Sequence, residues 1–437
     1  MRKGFHEFGL TLGGRVGGLV AGMATQVILA WGLGAEGRGS LAVCMVFSTV
    51  LVLVFAVGSD IGGLYFMSSG RFSVWEAIFY VSAFGLVSSI LAMVTGYSLI
   101  HTSLPFFAKA SRGAFLLSLW LIPMTLYSEV FLRLLTAVRL FKHSALITIL
   151  RSLLQMLLTG ALVWVVKLDV AGALIASIVA AAITFAACLL VFLRKFEFTA
   201  FRPSLSSFAA MFSYGLRYYF GKISNLANVE MGTIIVAFFA DRAEIGWFAL
   251  ASRVTQLVQM IPDSLTVILF PRVAIDKEGK KDLVMRVARS VLVACGTVFF
   301  LQAVLATPFV LIAFSAAFLP AAPLIRVLAI GGTVYCMAKI FLSYLVATNR
   351  PGVASVTVTI GVLVNITLLW LLLPRLGVAA AAWATTAAYI VDSVILLLLF
   401  LHFSGARMHE VFAFSRRDLG DFKAMFRKKI PGSVENQ

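Results

Sequence analysis

The chain has 437 residues, of which 61% are hydrophobic and 13% charged, and its formal net charge is +17. Soluble domains carry about 45–50% apolar and about 25% charged residues, so this composition excludes a soluble globular protein and marks a polytopic membrane protein. The positive charge does not argue for nucleic acid, because basic residues gather in the cytoplasmic loops of membrane proteins.

A spanning helix needs about 20 mostly apolar residues, and an open sheet edge is not tolerated in lipid. Twelve segments meet the requirement: 9–33, 41–67, 75–100, 114–138, 144–166, 170–193, 208–239, 245–270, 287–315, 321–347, 353–373 and 377–403. The expected fold class is therefore an all-α polytopic membrane protein with twelve transmembrane helices. The first segment follows Arg2 and Lys3 and outruns the apolar core of a signal peptide, so it reads as an uncleaved first helix. It contains "GGRVGG" (13–18), which places Arg15 inside the span. A central arginine costs roughly 2.5–3.5 kcal/mol on insertion scales, so a reason to keep it is needed.

Topology follows from Lys and Arg. The tails and even-numbered loops hold 22 of them and the odd-numbered loops seven, which puts both termini in the cytoplasm. The remaining seven lie within spans: Arg15, Arg133, Arg151, Arg217, Lys222, Arg253 and Lys339. The basic loop at 271–286 and the tail from Ser404 read as cytoplasmic surface, either solvated or touching anionic lipid.

The two halves of the chain align. "GSLAV" (39–43) matches "GWFAL" (246–250) at an offset of 207, and Gly14-Arg15 falls on Gly221-Lys222 at the same offset. "FLRLLTA" (131–137) matches "FLSYLVA" (341–347) at 210, and "LDVAGALIA" (168–176) matches "LGVAAAAWA" (376–384) at 208. The expected organisation is an N-lobe of six helices (1–195), a cytoplasmic linker (196–206), a C-lobe of six helices (207–403) and a basic cytoplasmic tail (404–437). Six is even, so the lobes are parallel repeats related by a pseudo-two-fold along the membrane normal, as in parallel-repeat transporters.

The stretch "RVGGLVAGMATQVILAWGLGAEGRGSLAV" resembles the first helix and loop of bacterial oligosaccharide-lipid (Wzx-type) flippases. "LVATNRPGVASVTVTIGVLVNITLLWLLLPRLGVAAAAWAT" (345–385) resembles their helix 10–12 region, and the resemblance extends over nearly all of 1–403. That family belongs to the multidrug/oligosaccharidyl-lipid/polysaccharide flippase superfamily. The resemblance implies a secondary-type transporter, not an enzyme, in the bacterial cytoplasmic (inner) membrane. Such a protein moves a polyprenyl-pyrophosphate-linked oligosaccharide from the inner to the outer leaflet by alternating access, for assembly of lipopolysaccharide O-antigen, exopolysaccharide or capsule. It implies a cationic cavity, no cofactor, and coupling to H+ or Na+. Implied partners are the lipid-linked glycan, membrane lipid, and the polysaccharide polymerase with other envelope-assembly proteins. The alternative is an ion-coupled multidrug/toxin extruder, whose cavity would be lined by acids.

The candidate substrate site is the set of intramembrane cations: Arg15, Lys222, Arg217, Arg133, Arg151, Arg253 and Lys339. Arginine suits phosphate because its planar fork donates two parallel bonds. Arg15 and Lys222 are repeat-related and each sits beside glycine. On 217–230, Ser224, Asn225 and Asn228 share a helical face with Arg217, a polar stripe able to bond sugar hydroxyls. Asp60, Glu129 and Asp263 are assigned to ion coupling or salt bridges. Other readings stay open. Arg15, Arg133 and Arg151 are near enough to a span end to snorkel. Glu129 and Arg133 are spaced i, i+4 and can neutralise one another. Asp263 follows Pro262 and can cap amides freed by a helix break. The four cysteines stand alone in separate spans and read as packing residues. The five histidines have no metal spacing, and neither a phosphate-binding P-loop motif nor a catalytic triad is present.

Overall fold

The computed structural model describes residues 2–56, 58–275 and 280–413. Within these, side chains are described except at 2–16, 19, 59–60, 217–218, 220–222, 224–229, 267–268, 271–272, 274–275, 280 and 351. The described residues are helical, with no strand. In chain order the helices are α1 (Arg2–Ala56), α2 (Ser59–Ser68), α3 (Val74–Ile100), α4 (Arg112–Leu119), α5 (Leu121–Ala137), α6 (Phe141–Thr159), α7 (Asp169–Lys195) and α8 (Leu205–Phe239). They continue with α9 (Arg242–Ile275), α10 (Lys280–Val304), α11 (Ala306–Phe314), α12 (Ala321–Ala347), α13 (Pro351–Leu376), α14 (Val378–Ser404) and the short α15 (Met408–Phe412).

Local chemistry sets several boundaries. The Ser73 hydroxyl accepts from the Glu76 N–H and starts α3, and Ser111 does the same for Ala114 at α4. Gly405 ends α14 with φ 66°, a left-handed value that glycine adopts without a Cβ clash. Gly34 (φ 63°, ψ −172°) breaks α1 into two limbs. A π-helical turn, Gly160–Val165, prolongs α6. In contrast, α9 runs through Pro262 without interruption, so the helix break expected there does not occur.

Nine helices among the described residues are long and apolar enough to cross a membrane. The expected segments 9–33 and 41–67 are not separate spans: residues 20–33 and 41–56 run together across Gly34 in Val20–Ala56, and residues 59–67 fall in α2. The segments at 208–239 and 245–270 are helical as α8 and α9 but are not among the nine; α8 contributes the shorter apolar stretches Leu205–Leu216 and Glu230–Phe239.

The chain divides into two compact units. The first comprises Met1–Leu226, Thr233–Ala249 and Ala313–Phe318. In its core, Phe131, Leu134 and Leu135 of α5 pack with Cys188 and Phe192 of α7 and with Tyr80 and Val81 of α3. The second comprises Ala227–Gly232, Leu250–Ile312 and Leu319–Gln437. Its core joins Val291, Cys295 and Phe299 of α10 to Ile340 and Phe341 of α12 and Phe400 of α14. All four cysteines are buried free thiols.

Within the first unit, the two glycines that the repeat aligns meet each other. A Cβ on Gly39 would strike the Arg242 carbonyl and lie 3.1 Å from the Gly246 nitrogen. A Cβ on Gly246 would strike the Ala35 carbonyl and lie 3.2 Å from the Gly39 nitrogen. Ala35 and Arg242 are themselves 207 residues apart in sequence, the same offset as the glycines, so the contact is reciprocal.

Candidate functional site

A cavity of about 600 Å³ opens inside the first unit, between both limbs of α1 and helices α5, α6 and α7. Its size lies in the range of about 300–1,000 Å³ typical of small-molecule sites. The lining follows helical periodicity. Helix α5 presents Leu121, Thr125, Glu129 and Arg133, four residues apart, and α6 presents Arg151 and Gln155 at the same spacing. The limbs of α1 add Gly22, Thr25, Gln26 and Leu29, then Met45, Ser48, Thr49 and Val52; α7 adds Ser177.

Charge is confined to one end. Arg151 Nη1 donates to Glu129 Oε1 at 2.6 Å, with the two side chains 28% and 52% exposed. Arg133 lines the same wall one turn along α5 from Glu129. Two guanidinium groups against one carboxylate leave the cavity with a formal charge of +1. The rest of the wall is hydroxyl, amide and aliphatic. Thr25, Thr49 and Thr125 spend their hydroxyl hydrogens on carbonyls one turn back, at 2.8, 2.8 and 2.6 Å, so their oxygens are left as acceptors. Gly22 borders open space, since a Cβ there would meet nothing within 4 Å.

The structure thus gathers three of the expected site residues, Glu129, Arg133 and Arg151. Others fall in the second unit. Lys339 Nζ donates to both carboxylate oxygens of Asp263, at 2.9 and 3.1 Å, and lies 5.5 Å from the Tyr335 ring centroid. Asp263 is therefore in an interhelical ion pair, one of the two roles assigned to it, and because α9 is unbroken at Pro262 the alternative reading as a cap has no freed amides to serve. Arg253 donates to Gln256 Oε1 at 3.2 Å, and its charge reaches Glu230 of α8. The side chains of Arg15, Asp60, Arg217, Lys222, Ser224, Asn225 and Asn228 lie outside the described residues.

Sequence reasoning passed over Gln26, Gln155, Ser177 and Arg38. The signal was present in "MATQVILAW" and "RSLLQMLLT", where one uncharged amide interrupts an apolar run. A search restricted to charged residues does not register it.

A family model described as "Polysaccharide biosynthesis protein" matches residues 28–323. No curated protein sequence matches the chain. Among solved structures, the fold is similar to that of the lipid II flippase MurJ in an inward closed conformation. The identity is 14% and the TM-score 0.77, over 96% of this chain and 92% of that one. It is also similar to a multidrug resistance MATE family transporter of the MOP superfamily in an inward-facing conformation, at 14% identity and TM-score 0.68, over 88% of this chain and 94% of that one. A mutant of the Vibrio cholerae MATE transporter VcmN aligns at 16% identity and TM-score 0.64, over 93% and 98%. At these identities the likeness establishes the fold.

Proposed function

The chain belongs to the polysaccharide biosynthesis protein family, and on that premise we propose that it is a flippase for an anionic lipid-linked oligosaccharide. It carries a polyprenyl-pyrophosphate-linked glycan from the inner to the outer leaflet of the bacterial cytoplasmic membrane by alternating access, supplying lipopolysaccharide or another surface polymer. The observation that carries this reading is the cavity of the first unit, with two arginines against one glutamate at one end and amides and hydroxyls elsewhere. A pyrophosphate would be met by guanidinium forks, each able to donate two parallel charge-assisted bonds. Hydroxyl and amide walls suit a glycan.

The finer organisation belongs to the same proposal: twelve spans in two six-helix lobes (1–195 and 207–403), a linker (196–206), a basic tail (404–437) and cytoplasmic termini. The basic-residue bias supports the orientation. The sequence repeat and the reciprocal Gly39–Gly246 contact support the duplication. Coupling to H+ or Na+ falls to Asp60, Glu129 or Asp263. Glu129 and Asp263 each hold a cation, so protonating either releases Arg151 or Lys339. The polysaccharide polymerase and other envelope-assembly proteins are the partners that would take the product.

The presence of Glu129 in the cavity favours a second reading, an extruder of organic cations. One experiment separates the two. In polymer-producing cells lacking the native flippase, the wild-type chain should restore surface polymer, and Arg133→Gln with Arg151→Gln should abolish it at equal protein level. Full polymer from that double variant, together with drug efflux that depends on Glu129, would establish the extruder instead.

A further inference from the structure

We infer that the segment joining α7 to α8, residues 194–205, is a membrane-surface ledge that binds the headgroups of anionic phospholipids. The inference does not depend on what the cavity carries.

Residues 196–204 are not helical and connect the end of α7 to the start of α8. Such backbone is not tolerated against hydrocarbon, where no water takes up its N–H and C=O groups. The segment nevertheless turns large apolar side chains outward: Phe198 is 73% exposed and Leu205, the first residue of α8, 84%. On a spanning helix such exposure is met by acyl chains. Here it is met by water unless the segment lies at the bilayer surface, where apolar side chains dip into the headgroup boundary and the backbone stays hydrated. The segment begins where the apolar helix Asp169–Lys195 ends, so headgroups are its immediate neighbours.

Helix α3 holds the segment in this place. Trp75 Nε1 donates to the Glu197 carbonyl at 2.8 Å, and the Ser204 N–H donates to the Tyr80 hydroxyl at 2.7 Å. Between these ties the Phe198 ring lies 5.7 Å from the Trp75 ring, and the Phe201 ring 5.4 Å from the Phe79 ring. Tryptophan and tyrosine, which make the ties, are the side chains that favour the membrane–water boundary.

Charge selects the headgroup. Arg194, Lys195 and Arg202 stand against Glu197, three cations to one acid, and all four are exposed. Arg71 and Glu76, on either side of the start of α3, cancel formally. An excess of cations beside outward apolar side chains matches an anionic lipid, whose phosphate and acyl chains engage both at once.

The test uses the full-length protein in lipid nanodiscs with Ala200→Cys labelled by bimane. Ala200 is exposed and the four native thiols are buried, so the label is selective. Phosphatidylglycerol and phosphatidylcholine, each with a nitroxide near the head of one acyl chain, are compared as quenchers at equal mole fraction. Phosphatidylglycerol should associate with the labelled segment about fivefold or more above phosphatidylcholine, since one cation near an anionic surface contributes about that factor. Arg194→Gln, Lys195→Gln and Arg202→Gln together should bring the ratio to within about twofold of one. Phe198→Ser should weaken quenching by both lipids. Equal quenching by the two lipids with the native cations present, or a preference that survives their removal, overturns the ledge. Quenching by neither lipid places the segment in water and overturns it in favour of a protein partner.

Discussion

Replacing Arg151 by glutamine removes one of two guanidinium groups from the cavity and leaves Glu129 without its 2.6 Å partner. The formal cavity charge falls from +1 to zero. A hydrogen bond to a charged group contributes about 1.5–3 kcal/mol, so affinity for a polyprenyl pyrophosphate should fall roughly 10- to 150-fold. Folding should suffer little. The pair is 28% and 52% exposed, and ion pairs open to this degree contribute about 0–1 kcal/mol. Glu129→Gln is the matched opposite: both arginines stay, the charge rises to +2, and the lipid should bind several-fold more tightly. The assay is equilibrium binding in nanodiscs, with melting temperature followed on the same samples. Two variants that shift affinity in the same direction, or an Arg151→Gln protein that binds as wild type does, would refute the electrostatic reasoning.

Three further outcomes are expected. Gly22→Trp grows into open space, so it should block the cavity and abolish polymer export in cells while the melting temperature stays within about 3 °C of wild type. Gly39→Ala and Gly246→Ala each force a methyl against backbone, and each should destabilise by about 1–3 kcal/mol in reversible unfolding, with a sub-additive double variant. The third concerns α15, docked on α10 through Arg289 Nη1, which donates to the Glu410 carbonyl at 2.8 Å. The Arg407 N–H donates to the Glu410 carboxylate at 3.1 Å, and with Lys281 at 3.8 Å it holds that carboxyl below its ordinary value. A lowered folded-state pKa means the stabilisation is present above the usual glutamate value of about 4.3 and is lost as pH falls through the lowered one. The protection of amides 408–412, taken as exchange relative to the intrinsic rate at each pH, should therefore fall on acidification in wild type, and Glu410→Gln should show no such fall.

Much of the helical framework was legible in the sequence, because length and apolarity alone select spanning helices. Glu129, Arg133 and Arg151 stood out in the sequence because intramembrane charges are few, but that they line one cavity did not, since snorkelling fits the same positions. The break at Gly34 was not, because glycine is common in such helices and only its φ distinguishes this one. Pro262 misled in the other direction, for α9 continues through it. The pairing of Glu129 with Arg151 crosses from α5 to α6, and local spacing on α5 offered Arg133 as the nearer partner. The hydrogen bonds of Gln26 with Arg38 and of Gln155 with Ser177 were out of reach, because each partner comes from elsewhere along the chain.

The reciprocal glycine contact ties the fates of two distant codons together. Neither strand of backbone can acquire a side chain at that crossing unless the opposite one withdraws, and withdrawal exposes the same crowding from the other direction. On the proposed duplication, the halves can drift apart almost everywhere else, yet 39 and 246 stay under one steric restriction, enforced by each upon the other.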